Sequence, residues 1–102
     1  MAHHTVTLNY GTGSFRPDAD VLRIQTGDTI SFQLGTVPPA SKFKITIDNP
    51  QFFSAAEAED SYTNITVLEA VSTSYRCQLF DVNGNLLSRK GQPGAHMEPQ
   101  EP

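Results

Sequence analysis

The chain has 102 residues, 37% of them apolar, with seven basic and eleven acidic side chains and a formal net charge of −4. That length holds one domain with a single core, and its dispersed charges offer no phosphate-binding face, so no nucleic-acid partner is expected. No apolar run approaches the ~18 residues of a membrane span, and Met1-Ala2-His3-His4-Thr5 lacks the features of a secretion signal, so a cytoplasmic protein is expected, although a mature exported form with a new start Met would read the same.

Val6, Leu8 and Tyr10 alternate with Thr5, Thr7 and Asn9 as a first strand, which Gly11-Thr12-Gly13 ends. Residues 15–20, with Pro17, read as a connector. Leu22 and Ile24 then face one way, and Gly27-Asp28 is expected to turn the chain so that Ile30, Phe32 and Leu34 line the same interior. After the loop at 35–41, Phe43, Ile45 and Ile47 point inward while Lys42, Lys44, Thr46 and Asp48 point outward. Ser54-Ala55-Ala56-Glu57 has the spacing of a capping box, which predicts a short helix over 55–60. Residues 62–68 return to strand rhythm with Ile65 and Val67 inward, and a strand over 73–80 is expected to meet one over 86–89 across the Asn83-Gly84 turn. The folded domain thus spans 1–90, and the Pro/Gly-rich residues 91–102 read as a disordered tail.

Seven short strands separated by turn signals predict an all-β fold: a two-sheet antiparallel Greek-key sandwich with one short helix near 55–60. The pattern resembles immunoglobulin-like domains at Tyr75-x-Cys77, but Cys77 is the only cysteine and there is no Trp, so a disulfide-bridged immunoglobulin domain is excluded. More of the chain resembles the cupredoxins: residues 22–34 are similar to their strand, Gly-Asp turn and strand, and Tyr75-Arg76-Cys77 to the strand ending in their copper-binding cysteine. The ligand pattern departs from that family, because Gln78, Leu79, Phe80 and Asp81 follow the cysteine and no His lies near 41–43. The resemblance therefore implies the scaffold without its copper site. The sequence also resembles a loose group of small bacterial domains that open with a Gly-Asp hairpin and close with a Tyr-rich strand, an Asn-Gly turn and a short last strand.

Cys77 alternates with Tyr75 and Leu79, so an inward, inert thiol is expected. His96-Met97 falls in the expected tail, residues 81–85 lack the full oxygen set of a calcium loop, and Gly11-Thr12-Gly13-Ser14 lacks the helix of a phosphate cradle. Asn64-Ile65-Thr66 is a glycosylation sequon by pattern alone. No acid, base and nucleophile assemble with catalytic spacing, so no enzyme activity and no cofactor are expected.

Two functional expectations remain. The first is a non-enzymatic interaction or structural module that binds a protein or a copy of itself, through a sheet edge or through the outward patch of Lys42, Lys44, Arg76 and Phe80. The alternative is a metal-handling protein using His3 and His4. A free amine, two backbone nitrogens and a third-residue imidazole suit Cu(II) or Ni(II), and a His stands third whether or not Met1 is kept.

Overall fold

The computed structural model of the chain describes residues 2–59, 64–89 and 94–100. Its strands are β1 (His3–Gly11), β2 (Ser14–Pro17), β3 (Val21–Ile24), β4 (Thr29–Leu34), β5 (Lys42–Ile47), β6 (Glu57–Glu59), β7 (Ile65–Thr66), β8 (Thr73–Phe80) and β9 (Ala95–Pro99). They form two sheets, one in the order β2-β1-β4-β7 and one in the order β3-β9-β8-β5-β6. The fold is therefore all-β with two sheets. No helix among the described residues is long and apolar enough to cross a membrane.

The alternation read from the sequence sets the core. Val6, Leu8, Ile24, Ile30, Phe32, Phe43, Ile45, Ile47, Ile65, Val67, Tyr75, Cys77 and Leu79 are all buried and join one cluster fed by both sheets. Full burial of each large apolar side chain contributes roughly 1.5–3 kcal/mol, which is what holds the two sheets together.

The sheets are mixed rather than antiparallel throughout: β1 pairs with β4 in parallel and β3 with β9 in parallel. The Gly27-Asp28 turn is consequently no hairpin. It carries the chain from β3 in one sheet to β4 in the other, with Gly27 at a φ of 92° and Asp28 N–H donating to the Gln25 carbonyl at 3.1 Å.

The segment read as a connector at 15–20 contains β2, which pairs antiparallel with β1 and places Tyr10 opposite Phe15. Thr12 and Gly13 at the tip both take positive φ, as a tight hairpin requires. Phe15 is fully buried, an apolar contribution that outweighs the Pro17 breaker, and a proline is tolerated on an edge strand.

The helix expected over 55–60 is absent among the described residues. A short 3-10 turn occupies Pro50–Phe52 instead, and β6 pairs Thr46 with Glu57, Ile45 with Ala58 and Lys44 with Glu59. Ala58 is 1% exposed between two outward carboxylates, so burying it against β5 decides for strand. The Ser54 hydroxyl accepts the Thr66 N–H at 2.8 Å rather than capping a helix. Asp60 lies outside the described residues.

The expected strand over 86–89 reduces to a single bridge between Phe80 and Leu86. From there the segment lies against the β1–β2 hairpin. Tyr10 Oη donates to the Leu87 carbonyl at 3.0 Å and Arg89 N–H to the Gly13 carbonyl at 2.7 Å.

The tail expected to be disordered over 91–102 contains β9, which sits between β3 and β8 with Ala95 and Met97 buried. Two inward residues suffice because both neighbouring strands supply hydrogen bonds. Residues 90–93 and 101–102 lie outside the described part of that segment.

Candidate functional site

β5 and β8 are antiparallel neighbours with Lys42 opposite Phe80, Lys44 opposite Gln78 and Ile45 opposite Cys77. Because strand side chains alternate, burial of Phe43, Ile45, Cys77 and Leu79 forces Lys42, Lys44 and Phe80 onto the outer face. There they border a shallow groove of about 420 Å³, completed by Glu59 from β6 and by Asp81, Val82 and Gly84 from the turn that follows β8. That volume lies within the range of small ligand and peptide-anchor pockets.

The turn wall is stiff. Asp81 Oδ1 accepts the N–H groups of Asn83 and Asn85, each at 2.9 Å, and Oδ2 accepts Asn85 Nδ2–H at 3.2 Å. These donors, the Asn85 amide first, hold the Asp81 carboxyl below the usual carboxylate range. Gly84 takes a φ of 85°, the positive angle for which the Asn-Gly pair is suited. This scaffold leaves Val82 65% exposed.

Charge around the groove is unevenly used. Lys44 Nζ lies 3.3 Å from Glu57 Oε1. Lys42 and Glu59 have no ion pair among the described residues.

The structure brings Lys42, Lys44 and Phe80 together and leaves Arg76 apart. Arg76 is opposite Thr46, further down β8, with its guanidinium 3.5 Å from Asp48 Oδ1. Val82, Glu59 and Asp81 were missed by sequence reasoning. The available signal was a lone valine inside an otherwise polar turn.

His3 and His4 project to opposite faces of β1. His3 Nδ1 shares a hydrogen bond with Thr29 Oγ1 at 2.6 Å and its Nε2 one with Ser31 Oγ at 3.1 Å. His4 Nε2 donates to Asp28 Oδ2 at 2.7 Å, while Ala2 N–H donates to Oδ1 of the same carboxylate at 2.8 Å. Among the described residues, no group of three or more His, Cys, Asp and Glu side chains could hold a metal ion.

Cys77 is a buried free thiol, and desolvation pushes its pKa up to about 12, so almost no thiolate forms near neutral pH. A second hollow of about 340 Å³ lies against Asp48, Ser74, His96 and Glu98. Its carboxylates are engaged: Ser74 Oγ donates to Asp48, and Arg23 pairs with Glu98 at 2.8 Å.

No protein-family model matches the chain, and no curated protein matches it.

Proposed function

We propose that the chain is a non-enzymatic Greek-key sandwich of cupredoxin-like form, lacking that family's copper ligands, which works by binding another protein or a copy of itself at the groove beside the 81–84 turn. The sandwich reading is supported by the single core shared by both sheets and by the chain's repeated changes of sheet, at β2–β3, β3–β4, β4–β5, β6–β7 and β7–β8. The parallel pairs favour the cupredoxin-like form over the immunoglobulin-like one, whose two sheets are antiparallel.

One observation carries the functional reading: Val82, 65% exposed, and the ring of Phe80 flank a groove rimmed by Lys42 and Lys44. An aromatic ring and an exposed apolar side chain inside a charged, polar rim have the anatomy of a binding surface rather than of a solvated face. The alternative of copper or nickel binding through His3 and His4 lacks comparable support. The Ala2 nitrogen that such a chelate uses when Met1 is kept already donates to Asp28.

The test is recovery of the native protein from its own cells with identification of what stays bound, run in parallel with Val82→Asp and Lys42→Glu. A protein partner held by the wild type and lost by both variants, at unchanged circular dichroism, is the expected result. Equal recovery with the variants refutes the groove as the binding surface.

A further inference from the structure

The groove's charges suggest what fills it, and this step rests on the interaction reading above. Lys42 and Glu59 are opposite charges on one groove, and neither has an ion-pair partner among the described residues. Beside them Val82 projects from a turn stiffened by the Asp81 carboxylate, so the same surface offers both a protrusion and a recess. Lys44 is already paired with Glu57 and the Asp81 carboxylate with the amides of its own turn, which leaves one cation, Lys42, and one carboxylate, Glu59, as the open charges of the groove. A strongly acidic or basic ligand would meet one matching charge and one opposing charge. A twofold-related copy would meet its own complement, because in an isologous contact residue i touches j while j touches i.

We propose that the occupant of the groove is a second copy of this chain, related by a twofold axis through the groove, with Lys42 of each copy facing Glu59 of the other and the two Val82 side chains covering the Phe80 rings. Contacts confined to the few side chains of one groove make a weak, concentration-dependent dimer rather than an obligate one.

Sedimentation velocity on the full chain between ~1 µM and ~1 mM, the range in which small interfaces assemble, reads the prediction directly. The wild type should shift from monomer to dimer across that range. Lys42→Glu and Glu59→Lys should each weaken the dimer at least about tenfold through like-charge contacts at both ends of the axis. Mixed in equal amounts, the two variants should recover wild-type affinity as a heterodimer, because both contacts are then attractive again. Val82→Arg should abolish association, with circular dichroism reporting an intact fold in every case.

A wild type that stays monomeric to ~1 mM overturns the inference, as does a dimer indifferent to these substitutions. A monomeric wild type that still retains a foreign protein in a Val82-dependent way overturns the second copy and supports the interaction reading, so the two failures are separable.

Discussion

Asp28→Asn is the most informative single perturbation of the fold. Asp28 is 1% exposed, and its carboxylate accepts the Ala2 N–H, the Gln25 N–H at 2.9 Å and His4 Nε2–H. It thereby fastens the start of β1 to the turn that moves the chain between sheets. The His4 hydrogen bond, followed by the two backbone donors, outweighs burial and lowers the carboxyl pKa from 3.8 to about 2. At about 1.36 kcal/mol per unit, that drop corresponds to roughly 2 kcal/mol of stability from ionised Asp28.

Asparagine keeps one acceptor but sets an NH2 group against a buried donor, so a loss of about 2–3 kcal/mol at pH 7 is expected. For a domain of this size that lowers Tm by roughly 10–20 °C. The folded carboxyl binds its proton less tightly than the unfolded one, so its contribution is complete above the unfolded pKa and lost as pH falls towards 2. Urea unfolding of wild type and variant at pH 7, 4, 3 and 2 should therefore show a difference that is largest at neutral pH and nearly gone at the acid end. A variant within ~0.5 kcal/mol of wild type at pH 7, the ordinary range of surface substitutions, would refute the reasoning, as would a difference that ignores pH.

Tyr75→Phe should be neutral or stabilising by up to about 1 kcal/mol in urea unfolding, because the buried Tyr75 Oη has no hydrogen-bond partner among the described residues. A loss above ~1 kcal/mol would mean that the hydroxyl is satisfied. Cys77 should react with a thiol reagent at pH 8 at least ~100-fold more slowly in the native protein than in urea, and comparable rates would show that its burial is not maintained. Met97→Ala should cost about 2–5 kcal/mol, since Met97 is fully buried in β9, whereas a solvated tail residue would leave stability unchanged.

Much of the core was legible. The inward sets of β5 and β8 follow from period-two alternation alone, and Lys42, Lys44 and Phe80 were placed on the outer face by the same rule. The groove was not legible, because its far wall depends on how the 81–84 turn is held and on β6 lying beside β5. Both are settled by contacts between segments distant along the chain. For Arg76, alternation gives the correct face but not its distance from the groove or its ion pair with Asp48, both of which depend on how β5 and β8 align.

The period of two is a property of neighbouring residues, and it determined by itself that this chain builds sheets and which side chains face inward. Which strands become partners was decided only by contacts between segments far apart along the chain. β3 pairs with β9 rather than β4, residues 57–59 extend along β5 despite a helix-capping motif, and residues 95–99 leave a polar, proline-rich segment to join the core. In each case the local preference is weak. Burial of Ile24, Ala58 or Met97 against residues far away in sequence outweighs it.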